Sequence, residues 1–179
     1  MNFRKFSLFP FMDAYMAPRL KIEGEISRHS GRLTVRYQLS GNLTEVVIPV
    51  PADMPARRNA LWEETCFELF IAAGDSPRYL EFNLSPAGHW NVFRFAAYRR
   101  EMQEDSAFGP LPFSVRHRPS ALSLSLEIDS NRIFPSGVIL DIGISAVVKY
   151  KSGETSYWAL SHIGRQPDFH RRDSFAIGL

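Results

Sequence analysis

Three consecutive segments of this chain alternate polar and apolar residues with a period of two, and this pattern constrains the fold more than any other feature. The segments lie at 61–71, 79–85 and 89–95. A period of two is typical of β-strands, because successive side chains of a strand point to opposite faces of the sheet. The first two segments predict one apolar face made of Phe67, Leu69, Ile71, Leu80, Phe82 and Leu84. The same interpretation of the third segment adds Phe93 and Phe95 to that face.

The opposite face of these strands is predicted to be polar and available to a ligand. It would carry Cys66, Glu68, Glu81, Asn83, Ser85, Trp90, Val92 and Arg94, with Trp62 just before the first strand. Turn-forming residues at 74–77 and 85–88 join the three segments. Such short connections predict an antiparallel meander.

The rest of the chain also reads as strands and turns. Further alternating or short apolar segments lie at 20–27, 33–39, 45–50, 121–128, 138–150 and 155–160. The first two predict a hairpin, and the polar stretch 99–113 predicts a crossover between two sheets. No segment has a helical apolar period longer than about two turns. About nine short strands at this spacing predict an all-β fold, an antiparallel β-sandwich.

The length and charge of the chain narrow the possible functions. A chain of 179 residues predicts a single domain, 1–179. Its 21 basic and 19 acidic residues leave a net charge of only +2, and they are mixed along the chain, so no nucleic-acid partner is expected. No apolar run approaches the roughly 18 residues of a membrane span, so no membrane association is expected either.

The cysteine content and the N-terminal segment bear on cellular location. With one cysteine, Cys66, no intramolecular disulfide is possible, which favours a reducing compartment. The segment 1–13 carries two basic residues before a short apolar stretch, but Pro10 interrupts that stretch and Asp13 ends it. This interpretation predicts a cytoplasmic protein whose N-terminal tail lies along a sheet edge, where a proline is tolerated.

Several motifs resemble those of a known family. The runs are Leu61-Trp62-Glu63-Glu64-Thr65-Cys66-Phe67-Glu68, Glu81-Phe82-Asn83-Leu84-Ser85-Pro86-Ala87-Gly88-His89-Trp90, Tyr157-Trp158-Ala159-Leu160-Ser161-His162 and Pro167-Asp168-Phe169-His170. Together they resemble the bacterial DOMON-like proteins, which are relatives of the family 9 carbohydrate-binding modules. The resemblance implies a sandwich of the jelly-roll or immunoglobulin-like kind that binds a ligand on one sheet without catalysing a reaction.

The resemblance also implies candidate site residues. In the sugar-binding modules an aromatic residue before the glutamate-bearing strand stacks on a pyranose ring, and Trp62 followed by Glu68 is similar to that arrangement. A second tryptophan closes the site in those modules, and either Trp90 or Trp158 could do so here. Asn83 and Arg94 would supply hydrogen bonds at the edge of the sugar. The predicted ligand is a carbohydrate or a sugar-containing cell-wall precursor, with no catalytic residue, no metal and no cofactor.

Other interpretations stay open at this point. The superfamily also includes haem-binding domains, for which Met54, Met102, His89 and His162 are candidate axial ligands. His162, Asp168 and His170 could form a metal site, or a hydrolase triad with Ser161 or Ser174, but their spacing and the missing Gly-x-Ser-x-Gly motif argue against both. The candidate side chains also have structural explanations: Glu68 and Arg94 in cross-strand charge pairs, Asn83 as a turn cap, the tryptophans as packing residues and Cys66 as an inert thiol.

Overall fold

The computed structural model describes residues 2–11, 19–74 and 76–179, and within them the chain forms strands and short 3-10 helices. The strands are β1 Asn2–Pro10, β2 Leu20–His29, β3 Arg32–Gly41, β4 Cys66–Ala73, β5 Tyr79–Leu84, β6 Trp90–Phe95, β7 Gln103–Glu104, β8 Phe113–Arg118, β9 Ala121–Asp129, β10 Leu140–Lys149, β11 Thr155–Ala159 and β12 Ile177–Gly178. The 3-10 helices are Leu43–Glu45, Leu61–Glu63, Ser130–Arg132 and Arg172–Ser174. No helix in the described part of the chain is long and apolar enough to cross a membrane.

The strands form one antiparallel sheet that folds over on itself into two layers. The front sheet has the order β7-β6-β5-β4-β10-β11, with β12 paired to β10, and the back sheet has the order β1-β2-β3-β9-β8. Strand β1 joins the two, because it pairs with β2 over most of its length and with β11 at Phe9 and Pro10. The predicted antiparallel β-sandwich is confirmed, as are its β2–β3 hairpin and β4–β5–β6 meander.

The main core lies between the two sheets and follows from the alternation in both. The back sheet contributes Ile22, Ile26, Val35, Tyr37, Leu122, Leu124 and Leu126, and the front sheet contributes Phe67, Leu69, Phe82, Leu84, Ile142, Ile144 and Val148. The predicted crossover is also confirmed, since the chain passes from β7 in the front sheet to β8 in the back sheet between residues 104 and 113. These buried faces fix which side of the front sheet points outward.

The predicted orientation of β6 is wrong. Trp90 lies opposite Leu84 and Val92 lies opposite Phe82, so both point into the main core. Phe93 and Phe95 instead lie opposite Glu81 and Tyr79 on the outer face, in a second apolar cluster with Phe70, Ala72, Tyr79 and Phe175. The alternation in β6 could not distinguish its faces, because both of them are buried and carry large apolar residues.

One further strand prediction is wrong, and the predicted place of the N-terminal segment is not. Segment 45–50 is not a strand: it follows the 3-10 helix Leu43–Glu45 and makes one isolated bridge, Val46 to Tyr150, before its prolines. The N-terminal segment forms β1, which lies at the edge of the back sheet as predicted and meets the front sheet only at Phe9 and Pro10. Pro10 is its last residue, where a missing N–H removes little pairing. Residues 1, 12 and 13 of that segment lie outside the described residues.

Candidate functional site

A row of polar side chains crosses four strands on the outer face of the front sheet. Asn91, Asn83, Glu68 and Ser145 are consecutive cross-strand neighbours on β6, β5, β4 and β10. All four are buried, Glu68 with 3% and Asn83 with 0% of the residue exposed. Burying a polar row costs free energy that an apolar row would not, so such a row marks a candidate functional site.

A second carboxylate lies beside this row. Glu81 is two residues before Asn83 on β5 and shares its face, and the Asn83 Nδ2 group donates to Glu81 Oε1 at 2.8 Å. Ser145 Oγ donates to Glu68 Oε2 at 2.9 Å. Among the described residues, the other oxygen of each carboxylate accepts no hydrogen bond. Each carboxylate therefore keeps a free acceptor for a ligand hydroxyl.

The environment keeps both carboxyl groups partly protonated near neutral pH. Burial, with the charge of Glu81, raises the pKa of Glu68 to about 8. Burial also raises the pKa of Glu81 to about 7, although the Asn83 hydrogen bond and the charge of Arg99 oppose the rise. The two carboxyl groups are coupled, so ionisation of one disfavours ionisation of the other. Near pH 7 the pair can both donate a hydrogen bond and accept one.

Asn91 holds the loop that carries Trp62. Its Oδ1 accepts from Arg57 Nη1 at 2.7 Å, and its Nδ2 donates to Asn59 Oδ1 at 2.7 Å and to the Arg58 carbonyl at 3.1 Å. This anchored segment leads through Ala60, whose backbone is left-handed at φ +57°, into the 3-10 helix Leu61–Glu63. Asn91 is thus a positioning residue that the sequence interpretation did not single out.

Trp62 itself is exposed at the border of the polar row. Its indole packs edge-on against Phe93 with a ring separation of 5.8 Å. Phe93 is the direct cross-strand neighbour of Glu81. Trp62 as a whole residue is 37% exposed to solvent. An exposed aromatic plate beside carboxylates is a chemical combination suited to a sugar ring.

His170 borders the site from the C-terminal segment. Its ring packs edge-on against Phe70 and Phe95, and its Nε2 lies 3.9 Å from Glu81 Oε2. The Tyr79 hydroxyl accepts from the Arg99 N–H and shares a hydrogen bond of 2.8 Å with His170 Nδ1. Burial lowers the pKa of His170 to about 4, so the ring is neutral near pH 7 and its Nε2 faces Glu81.

Asp168 fixes the position of His170. Its carboxylate accepts hydrogen bonds from the Tyr98 hydroxyl, the Arg99 guanidinium and the backbone N–H of His170. These contacts hold the pKa of Asp168 below its ordinary value, although its partial burial acts in the opposite direction. The C-terminal segment is therefore tied to the turn that follows β6.

The structure brings together only part of the predicted site. Trp62, Glu68 and Asn83 lie on or beside the outer face. Arg94 does not, because it lies opposite Leu80 on the other face, where it is exposed and bonds to Gln103.

The two other predicted tryptophans lie behind the site. Trp90 and Trp158 are only 5% and 4% exposed and belong to the core between the sheets. Trp90 packs beneath the Arg57 guanidinium at 4.4 Å, and Trp158 lies opposite Ala146 with its indole N–H bonded to Ser156. Neither can close the site from its present position. His170 occupies the border that a second aromatic residue was expected to hold.

The residues considered for other chemistry are dispersed. In the described part of the chain, no three His, Cys, Asp or Glu side chains are grouped so as to hold a metal ion. Met54 and Met102 are exposed, while His89 accepts from the Ala56 N–H and His162 bonds to the Phe9 carbonyl. Cys66 is fully buried, and its burial raises the pKa of its thiol, which disfavours the reactive thiolate.

Comparison with known proteins supports the fold. No protein-family model matches this sequence, and no curated protein matches it. A protein from Bacteroides uniformis, provisionally designated carbohydrate-binding, superposes with a TM-score of 0.65 and 16% identity over 97% of this chain and 84% of its own. A family 9 carbohydrate-binding module from Caldicellulosiruptor kristjanssonii, solved with cellotriose, superposes with a TM-score of 0.50 and 10% identity over 88% of this chain and 72% of its own. This chain therefore has the β-sandwich fold of the family 9 carbohydrate-binding modules.

Proposed function

We propose that this protein binds a carbohydrate, or a sugar-containing cell-wall precursor, on the outer face of the front sheet, without catalysing a reaction. The observation that carries the proposal is the pairing of Glu68 and Glu81, each with a free acceptor oxygen, beside the exposed indole of Trp62. A pyranose has an apolar face and a rim of hydroxyl groups, so its site needs an aromatic plate and polar groups at the edge. The two structural neighbours are described as carbohydrate-binding, which agrees with this choice.

The aromatic groups of the proposed site are Trp62 and His170. Trp62 packs on Phe93, the neighbour of Glu81, and His170 approaches Glu81 from the other segment. A neutral imidazole donates from one ring nitrogen and accepts at the other, so it can form a hydrogen bond with a sugar hydroxyl in either role. Neither structural neighbour supports the alternative of haem binding.

Binding must include a local rearrangement. Glu68 and Asn83 are almost fully covered, so a sugar reaches them only if a bordering segment moves aside. The Trp62 loop is the segment we expect to move. It starts at the left-handed Ala60, a backbone conformation that costs a non-glycine residue about 1 kcal/mol.

The test compares Trp62→Ala with a matched control. Phe3 on the back sheet is exposed to a similar extent, 40% against 37%. By calorimetric titration with a panel of mono- and oligosaccharides, we expect Trp62→Ala to abolish binding and Phe3→Ala to retain it. Both variants should melt within about 4 °C of the wild type, because each residue contributes little to the core.

Two outcomes would contradict this proposal. A Trp62→Ala protein that unfolds would show that the indole is a packing residue. A wild type that binds no sugar at millimolar concentration would remove the carbohydrate function itself.

A further inference from the structure

An open cavity of about 570 Å³ is lined in part by Asp168, whose carboxylate holds the backbone of His170 at the border of the candidate site. Its walls are the 98–99 turn and the segment 164–171, which contribute three arginines, Arg99, Arg165 and Arg171, and one carboxylate, Asp168. Asp168 already accepts hydrogen bonds from Tyr98, Arg99 and the His170 backbone. The cavity therefore has an excess of positive charge, even when Asp173, the partner of Arg171 outside it, is included.

The arginines of this cavity keep unused hydrogen-bond donors. Arg99 donates to Asp168 through Nε and Nη2, and Arg171 donates to Asp173 through the same two atoms. Within the described chain, the Nη1 groups of both and the whole guanidinium of Arg165 have no acceptor. Unused guanidinium donors in a concave site suit a carboxylate, phosphate or sulfate oxygen.

Glycine at position 164 keeps the cavity open. A Cβ atom on Gly164 would lie 3.8 Å from Arg171 Nη1 and 3.2 Å from the Gln166 carbonyl oxygen. A side chain there would fill the space in front of the Arg171 guanidinium. The absence of one leaves room for a ligand oxygen at Nη1.

The turn that presents Arg99 is held in an unusual conformation. Arg99 and Glu101 have left-handed backbones with φ values of +51° and +54°. The Arg99 N–H bonds to the Tyr79 hydroxyl, and its side chain bonds to Asp168. Strained backbone that is fixed by its surroundings is common at binding sites, where it sets the position of a side chain in advance.

We propose that this cavity binds the anionic group of the ligand whose sugar ring occupies the candidate site, which makes that ligand an acidic carbohydrate. The inference rests on the proposed function. The two sites share a wall, because His170, which faces Glu81, is two residues from Asp168 and bonds to its carboxylate through the backbone. An acidic group attached to a sugar ring, such as a uronate carboxylate or a phosphate ester, can therefore reach the arginines while the ring lies over Glu81.

The test measures affinities for neutral and acidic forms of the same sugars. Calorimetric titrations would use glucose with glucuronate and glucose 6-phosphate, galactose with galacturonate, and inorganic phosphate alone. We expect the wild type to bind at least one acidic sugar about tenfold more tightly than its neutral form, as one or two charge-assisted hydrogen bonds provide. Comparing the uronates with glucose 6-phosphate shows whether the cavity prefers a carboxylate or a phosphate group.

Arg165→Gln isolates the contribution of the cavity. Arg165 is exposed and makes no hydrogen bond to the described residues, so its loss should not disturb the fold. We expect this variant to lose most of the preference for the acidic sugar and to keep its affinity for the neutral one. Arg116→Gln, an exposed arginine on β8 of the back sheet, should leave both affinities unchanged.

The outcomes separate this inference from the proposed function. A wild type that binds neutral and acidic sugars equally well overturns the anionic preference and leaves carbohydrate binding intact. If no sugar binds but phosphate binds in an Arg165-dependent way, carbohydrate binding fails and so does the assignment of an acidic sugar. Binding of none of the probes overturns both.

Discussion

Glu68, Glu81 and His170 determine how stability responds to pH. A carboxyl group with a raised pKa in the folded state holds its proton more tightly there, so its contribution to stability is lost as pH rises through the folded pKa. For Glu81 and Glu68 those values are about 7 and about 8. His170 has the opposite sign, since its pKa falls to about 4 and stability increases with pH up to its ordinary value near 6.5. Of these three groups, only the two carboxyl groups act above pH 6.5, and they should make stability fall.

Urea denaturation at pH 6.5 and pH 8.5 measures this fall. We expect the wild type to lose on the order of 1 to 3 kcal/mol of its free energy of unfolding, because each pKa unit corresponds to about 1.4 kcal/mol. Glu68→Gln resembles the protonated form and should lose much less. The control Glu45→Gln changes an exposed glutamate and should behave as the wild type does. An equal loss in Glu68→Gln and the wild type would mean that Glu68 ionises normally.

Strand β2 contains a glycine that its neighbours require. Gly24 lies between Phe6 and Tyr37 in the pairing of β1, β2 and β3, and a Cβ atom there would come within 1.9 Å of the Arg36 carbonyl oxygen. Because that oxygen belongs to the backbone, the strands would have to shift.

We therefore expect Gly24→Ala to reduce the free energy of unfolding by about 2 to 4 kcal/mol. Gly109→Ala is the control, since a Cβ atom at position 109 meets nothing within 4 Å, and its effect should stay within about 0.5 kcal/mol. Urea denaturation of both variants gives the two values. Equal stabilities would show that the strands absorb the extra methyl group easily.

The sequence predicted strands well where one face of the strand differed from the other. In β4 and β5 the face toward the core is uniformly apolar, and the outer face carries Glu68, Glu81 and Asn83. Strand β6 carries large apolar residues on both faces, so its sequence does not show which face points into the core. The roles predicted for Trp90 and Arg94 depended on that choice. The prolines at 49 and 51 explain why the apolar segment 45–50 does not pair as a strand.

The sequence predicted only those residues of the candidate site that lie on neighbouring segments of the chain. Glu68 and Asn83 come from strands that are consecutive in the chain, so local alternation placed them together. Ser145 and His170 reach the same face through long-range pairing and through a loop docked by Asp168. Local patterns carry no information on such contacts, because they depend on the register between distant strands.

The whole molecule should unfold as one unit. Its main core draws side chains from both sheets, and β1 hydrogen-bonds to a strand of each. Neither sheet can lose its partner without exposing the shared core. Thermal unfolding followed by far-ultraviolet and by near-ultraviolet circular dichroism should therefore give coincident transitions. Two separate transitions would mean that the sheets are independently stable.

The position of β1 also affects how the protein folds during synthesis. Strand β1 is translated long before β11, yet Phe9 and Pro10 pair with Ala159 and Trp158 of β11. The hairpin of β2 and β3 can receive β1 early, but the connection between the layers must wait until residue 159 has been translated. Contacts between such distant residues slow folding and leave apolar strands exposed in the meantime. The nascent chain would then present an unclosed sandwich to chaperones until β11 has emerged.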